Sequence, residues 1–328
     1  MFIFMKDKLT RKDERILSEL DKNSRQTDSQ IAKKIGLSKQ VVNYRINNLL
    51  KKKIITDFYT TLDIAKLGFN SYYVFLQLEK IDKQKEEELI KQLETLDFVG
   101  WLITGVGRWD VCVLLFADTM QRFDSQLSQI TNLCGDNLYD YNFTILVSSE
   151  HISYKFVTPK DYSKVRQEER KEKIILDKTD IAILKQIAPN ARISLTEIQK
   201  KAKIPIHTSA YRIKSLEKQE IILGYKPKLD VAKLGYQWHL LLLKFQNISE
   251  QRKKEFIYFC ENHKNIYYIT QTIGLYNLML DIHVKTSDEF RNMIQVLRDK
   301  FSDVIKIYES IFVFKEHKIS YFPEELLK

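Results

Sequence analysis

Leu62-Asp-Ile-Ala-Lys-Leu-Gly-Phe69 recurs 167 residues further on as Leu229-Asp-Val-Ala-Lys-Leu-Gly-Tyr236. The same shift lays Leu9-Thr-Arg-Lys-Asp-Glu-Arg-Ile-Leu17 over Leu176-Asp-Lys-Thr-Asp-Ile-Ala-Ile-Leu184, and between 9–70 and 176–237 it gives 22 identities in 62 positions without a gap. It also sets Gly107 on Gly274 and Ser153-Tyr154 on Ser320-Tyr321. A fixed internal period of this length marks a tandem duplication, so the 328 residues are read as one unit written twice rather than as one large domain.

Within each copy the hydrophobic period changes partway. Ile16, Leu17 and Leu20, then Ile31 and Ile35, then Val42, Ile46 and Leu49 follow helical spacing and predict three short amphipathic helices. The β-prone stretch 54–62 is expected to close into a small hairpin. Beyond it, strand-like and helical patterns alternate: strand 71–78, helix 84–96, strands 99–104 and 111–116, helix 121–133, strand 142–147. That order is βαββαβ, a ferredoxin-like split βαβ unit. The second copy repeats it near 238–245, 251–262, 267–272, 278–284, 287–301 and 305–314. The expected fold is therefore α+β, a tandem repeat of a three-helix head with a small hairpin and a ferredoxin-like domain. Its divisions are 1–60, 61–154, a linker 155–172, 173–228 and 229–328. The linker is rich in Lys, Arg, Glu and Gln and is read as exposed, with a composition compatible with a helix.

Charge divides along the same boundaries. The stretch 1–60 carries 14 basic and 7 acidic residues, and 173–228 carries 12 and 5, so each helical head is +7; 61–154 has 7 and 14, or −7. Positive charge gathered on the helical heads is the distribution of a phosphate-backbone binder. Ser29-Gln-Ile-Ala-Lys-Lys-Ile-Gly-Leu-Ser-Lys-Gln-Val-Val-Asn-Tyr-Arg-Ile46 reads as a helix-turn-helix. Ala32 is small where two helices cross, Gly36 can take the positive φ of a helix end, and Ser38 can cap the next helix. With Val42, Ile46 and Leu49 inward, Lys39, Gln40, Asn43 and Asn47 point out, beside Tyr44. Gln and Asn pair bidentately with adenine and Lys donates to guanine, so these are candidate base readers in the major groove of double-stranded DNA. Arg45 and Lys51, Lys52 and Lys53 are candidates for phosphate contacts. In the second head Lys203 replaces the turn glycine, Gln199 the small crossing residue and Pro205 the cap. His207, Thr208, Tyr211, Arg212 and Lys214 are its candidate contacts, implying a different sequence preference. The plain alternative for every one of these residues is a solvated polar position.

The sequence resembles the Lrp/AsnC (feast/famine) family of prokaryotic transcription regulators. The resemblance rests on Leu9 with Asp13, Ile16-Leu17, Asn23-Ser-Arg25, Ile31-Ala32, Ile35-Gly-Leu-Ser38, Tyr44-Arg-Ile46, Leu49, Ile54-Ile55 and Leu67-Gly-Phe69. It implies a winged helix-turn-helix joined to a dimerising, ligand-sensing βαββαβ domain that answers to amino acids or similar small metabolites. The fused second copy departs from the family's usual single head and sensor. Tethering two sensors by about 20 residues favours pairing within the chain, an intrachain pseudo-dimer whose heads meet unlike DNA half-sites. A higher homo-oligomer remains compatible with this. The resemblance also places an effector pocket near the turn Gly107-Arg108-Trp109-Asp110 and its counterpart Gly274, Tyr276 and Asn277. Backbone amides around a glycine can hold a carboxylate and Asp110 can accept from an amino group. A plain hairpin turn uses the same residues.

Other classes find little footing. The longest apolar runs, such as 111–117 and 240–243, are far below the roughly 18 residues of a membrane span. Met1–Met5 lacks the basic lead-in and cleavage site of a secretory signal, so a cytoplasmic location is expected. Cys112, Cys134 and Cys260 show no CxxC spacing and are read as buried apolar fillers. The six histidines show no HExxH, and no GxSxG or P-loop occurs, so neither catalysis, a metal nor a cofactor is expected. The alternative reading is a fused siroheme-decarboxylase-like enzyme: those enzymes share the architecture and carry a stretch similar to Tyr276-Asn-Leu278. A third is a protein-interaction adaptor with idle heads.

Overall fold

The computed structural model describes residues 9–155, 165–168 and 174–323. The expectation for Met1–Met5 and most of the linker fall outside the described residues.

Each head is three helices. In the first, α1 (Arg11–Lys22), α2 (Asp28–Ile35) and α3 (Lys39–Lys51) begin at side-chain caps. Thr10 with Asp13 and Thr27 with Gln30 form reciprocal capping boxes, and the Ser38 hydroxyl accepts from the Val41 amide. Gly36 ends α2 at φ 65°, the left-handed conformation that favours glycine. The second head repeats this as α6 (Lys178–Ile187), α7 (Leu195–Ala202) and α8 (Ile206–Lys218), and Lys203 is forced into the same left-handed bend at φ 60°. Pro205 offers α8 no side-chain cap.

The expected hairpin at 54–62 does not form. That stretch is one strand, β1 (Ile55–Leu62), and its partner is β7 (Ile222–Leu229) from the other copy, paired antiparallel from Ile55 with Leu229 to Leu62 with Ile222. A β-prone run too short to fold back on itself takes the equivalent strand of its own duplicate, so the boundaries expected at 60/61 and 228/229 fall inside a ribbon shared by both copies.

The two βαββαβ units are β2 (Asn70–Leu78), α4 (Lys83–Thr95), β3 (Val99–Val106), β4 (Val111–Ala117), α5 (Met120–Cys134), β5 (Leu138–His151), and β8 (Gln237–Phe245), α9 (Glu250–Asn262), β9 (Ile266–Gly274), β10 (Leu278–Val284), α10 (Ser287–Phe301), β11 (Ile305–Ile319). Within the units the strand orders are β5-β2-β4-β3 and β11-β8-β10-β9. β5 also pairs with β9 and β11 with β3, so eight antiparallel strands close into a ring and neither sheet keeps a free edge. Residues 165–168 of the linker form β6 (Val165–Glu168), a strand on the end of β5 rather than a helix.

Closure explains the unbroken apolar strands. Along β2, Tyr72, Val74 and Leu76 meet α4 and α5, while Tyr73 and Phe75 face the other sheet. Along β8, Leu241 and Leu243 meet α9 and α10, while Leu240 and Leu242 face inward. Both faces are covered, so alternation of polar and apolar residues disappears. Cys112, Cys134 and Cys260 are buried thiols within these layers. No helix among the described residues is long and apolar enough to cross a membrane.

Candidate nucleic-acid interface and sensor turns

On α3, Lys39, Gln40, Asn43, Tyr44 and Asn47 are exposed, as are Lys51, Lys52 and Lys53 just beyond; Tyr44 is 71% exposed. Ser38 caps the helix and orients its N-terminal turn. Asn43 Nδ2 donates to Asp28 Oδ2 at 2.8 Å and Asn47 Nδ2 donates to Asn43 Oδ1 at 3.0 Å. Any bidentate contact from Asn43 to a base therefore exchanges bonds already made. Arg45, read as a phosphate contact, has partners within its own head. It is half-buried, and its Nη1 donates to Asp13 Oδ1 at 2.9 Å and Thr10 Oγ1 at 2.9 Å, tying α3 to the cap of α1. Arg212 does the same in the second head, 2.8 Å from Asp177 and 3.4 Å from Asp180. The repeated Tyr-Arg-Ile is thus explained in part by packing within each head. On α8, His207, Tyr211 and Lys214 are exposed and Thr208 is partly so.

The heads are locked to each other by contacts that repeat with the 167-residue shift. Arg25 Nη1 donates to the carbonyls of Ala191 (2.6 Å) and Ile193 (3.1 Å), and Arg192 Nη1 donates to those of Ser24 (2.7 Å) and Gln26 (3.0 Å). The Ser24 amide donates to Tyr225 O and the Ala191 amide to Phe58 O. Lys66 Nζ donates to Gln219 O and Lys233 Nζ to Lys52 O. One element breaks the symmetry. Arg192 Nη2 also reaches Asp28 Oδ1 at 2.7 Å, while the residue equivalent to Asp28 is Leu195 and that equivalent to Asn43 is Ala210. Sequence reasoning missed Arg25, Arg192 and Asp28; the matched Asn-x-Arg at 23–25 and 190–192 was the available signal.

The two sensor turns do come together, but as packing. Trp109 and Tyr276 are equivalent residues, both fully buried, and Trp109 Nε1 donates to the Tyr276 hydroxyl at 2.7 Å, which donates to Glu309 Oε2 at 2.5 Å. Arg108 completes the chain, with Nη1 3.0 Å from Glu309 Oε1 and the guanidinium 4.8 Å from the Trp109 ring centre. Burial, then the Glu309 contact, push the Tyr276 phenol well above its usual range. Asp110, read as an acceptor for a ligand amine, has one carboxylate oxygen engaged within the fold: Oδ2 accepts from the Leu78 amide at 2.7 Å, and Asn277 Oδ1 accepts likewise from Phe245 at 2.9 Å. The missing charge at Asn277 is therefore no loss there, since an amide oxygen accepts the same bond. The glycines are equally structural. A Cβ on Gly107 would run into the Ser310 carbonyl, and one on Gly274 would lie 2.8 Å from the Phe143 carbonyl, with φ at +133°.

A cleft lies instead between the sheets, lined by Trp101, Trp238, Tyr268, Tyr321, Asp281 and Glu316 among others. The Trp238 indole donates to Asp281 Oδ1 and the Trp101 indole to Glu316 Oε1, both at 2.7 Å. Burial holds the Asp281 carboxyl up at about 7. Burial likewise lowers His283 to about 3 and His239 to about 4, so both imidazoles are neutral. No group of three or more metal-ligating side chains occurs among the described residues.

The winged helix-turn-helix DNA-binding family matches at residues 9–56 and 176–222. The HTH-type transcriptional regulator Ptr1 of Methanocaldococcus jannaschii is 32% identical over 111 residues, 34% of this chain and 74% of Ptr1. The uncharacterized HTH-type transcriptional regulator PH0061 of Pyrococcus horikoshii is 32% identical over 108 residues, 33% of this chain and 72% of that protein. Over the whole chain, the crystal structure of the siroheme decarboxylase NirDL superimposes with a TM-score of 0.62 at 15% identity, covering 97% of this chain and 96% of that one, a likeness of fold. A reader helix in each half, and relatives matched over nearly three quarters of their length, place the chain in the Lrp/AsnC family of HTH-type transcriptional regulators, as a DNA-binding protein with two family copies in one polypeptide.

Proposed function

We propose that this regulator engages double-stranded DNA as an intrachain pseudo-dimer reading two unlike half-sites, and that a small metabolite modulates it. Ser38, Lys39, Gln40, Asn43, Tyr44 and Asn47 address one half-site, with Lys51, Lys52 and Lys53 on phosphates. His207, Thr208, Tyr211 and Lys214 address the other. Arg45 and Arg212 orient the reader helices through α1 and α6. The observation that carries this reading is the reciprocal arginine lock and shared ribbon that fix two heads of charge +7 in one unit. The surroundings are taken to be the cytoplasm, the role non-enzymatic, and association of several such chains compatible with the fold.

Titration of duplex DNA at several salt concentrations tests it. Each neutralised phosphate contributes about −0.9 to the slope of log K against log salt, so a steep negative slope is expected and a flat one refutes the reading. Asn43→Ala with Gln40→Ala should cost about 1 to 3 kcal/mol of discrimination per good bidentate contact while non-specific binding survives. An equal loss on all sequences would make these residues positioning groups. The whole-chain likeness to NirDL supports a second reading, a decarboxylase of siroheme type. Iron-uroporphyrin III titrated into the protein separates the two: a bound tetrapyrrole absorbance band favours the enzyme, its absence the regulator.

A further inference from the structure

The cleft between the sheets carries a feature that the duplication does not require. Along β10, Leu278, Leu280 and Ile282 meet the helices, so Met279, Asp281 and His283 are the alternate residues facing the other sheet. The equivalent inward residues of β4 are Cys112, Leu114 and Phe116. Asp281 thus stands where the first copy has Leu114, and both line the same cleft. Glu316, on β11 of the same sheet and one strand removed from β10, stands where the first copy has Ser149. Two carboxylates have been placed in an interior whose pseudo-symmetric half is apolar or neutral.

Such a placement is costly unless the charge is met. Asp281 is 7% exposed, and its hydrogen-bond donor is a neutral indole. Glu316 has an indole on one oxygen and the Lys228 ammonium 2.9 Å from the other. The pair of acids therefore faces one cation among the described residues. The walls are aromatic: Tyr73, Tyr268 and Tyr321 with Trp101 and Trp238, whose ring centres lie 6.2 Å apart. Ring faces attract cations, most strongly where water is excluded. The cleft is small, with a cavity volume of about 30 Å³, so only a short chain with a single charged head fits.

We propose that this cleft binds a small organic ammonium ion, with Asp281 as its counter-ion and the aromatic walls around its carbon chain. A free amino acid fits less well, because its carboxylate would meet Glu316. The inference rests on the reading of the chain as metabolite-responsive and gives that response a place and a ligand class. It also supplies a route outward. Lys228 belongs to β7, the ribbon strand shared by the heads, and an adjoining cleft shares Trp238, Tyr267, Glu316 and Ile319 while reaching Tyr59 of β1. A cation that draws Glu316 away from Lys228 alters the contact between sensor barrel and ribbon.

The test uses the full-length chain at pH 8 with ethylammonium and L-alanine, which carry the same amine without and with a carboxylate. Calorimetry, with the fluorescence of Trp101 and Trp238 as a second readout, should show saturable binding of ethylammonium at least tenfold tighter than of L-alanine. Asp281→Asn should weaken it at least tenfold, and Glu316→Gln should weaken it as an independent variant should the first not fold. Lowering the pH below 6 should release the ligand from the unaltered protein. No saturable binding, or binding indifferent to Asp281→Asn, overturns the site. DNA affinity is measured in the same samples: Asp281-dependent binding with unchanged DNA affinity would refute the modulation reading while keeping the site, and a DNA response to other metabolites without saturable ethylammonium binding would do the reverse.

Discussion

Replacing Arg192 with alanine should damage both stability and reading, and Arg25→Ala supplies its internal control. Arg25 donates to two carbonyls of the other copy, Arg192 to two carbonyls and to Asp28. Hydrogen bonds to a charged group are worth about 1.5 to 3 kcal/mol each. Two that share one guanidinium are not additive, and the Arg192 side chain keeps 22% of its exposure, so the low end applies, about 1.5 to 3 kcal/mol in total for either arginine. The Asp28 ion pair adds about 0.5 to 1 kcal/mol to Arg192 alone, being partly screened. Equilibrium urea unfolding followed by circular dichroism measures each loss, and the cycle with Asp28→Ala isolates the pair term. The functional consequence is asymmetric: Arg192→Ala releases Asp28, the group that holds the Asn43 amide, so discrimination between DNA sites falls in the first half-site, whereas Arg25→Ala has no such acid to release. Equal effects of the two substitutions on DNA discrimination, with an Arg192–Asp28 coupling near zero, would refute this reasoning.

Three further outcomes follow from other parts of the structure. Lys203 occupies a left-handed bend at φ 60°, so Lys203→Gly should stabilise the second head by about 1 kcal/mol, seen as a higher thermal midpoint. Gly36→Ala at the equivalent bend of the first head should do the opposite. Gly107→Ala forces a methyl against the Ser310 carbonyl and should separate β3 from β11, lowering stability by about 1 to 3 kcal/mol; hydrogen exchange should rise on those two strands first. For Asp281 the folded carboxyl is held near 7, above the ordinary 3.8, by burial and then by Glu316, against the Trp238 bond. The native state therefore binds more protons than the unfolded one between about pH 4 and 7, and stability contributed by this group falls as pH rises through that window. Asp281→Asn should remove that component and make the chain more stable than the parent at pH 8. The difference between the two profiles isolates Asp281 from His283 and His239, whose lowered values act in the opposite sense.

Local signals were read well from the sequence because local chemistry made them. Ser38 caps its helix wherever the rest of the chain goes, and Gly36 serves a bend that involves its own neighbours. Signals whose partner lies on another element were hidden. Strand 54–62 was assigned a hairpin because its true partner, β7, is its own duplicate. The Arg45–Asp13 pair stayed unseen because Asp13 lies 32 positions earlier and nothing in the spacing announces it. The bond from the Leu78 amide to Asp110 stayed unseen because Leu78 belongs to a neighbouring strand. The interior acids were legible only by setting the copies side by side, where Asp281 faces Leu114 and Glu316 faces Ser149 in the alignment. Their meaning depended on knowing that both strands turn those positions toward one cleft.

The central claim is that one chain presents two different readers on one rigid base. Selection of binding sites from a random pool of duplex DNA with the full-length protein tests it most directly. The expected outcome is an enriched site of two unlike half-sites, centred about one helical turn or a multiple apart, the second half of which is lost when Tyr211 and Lys214 are replaced by alanine. A perfect palindrome that survives those replacements, or a pool with no enrichment at all, would contradict it.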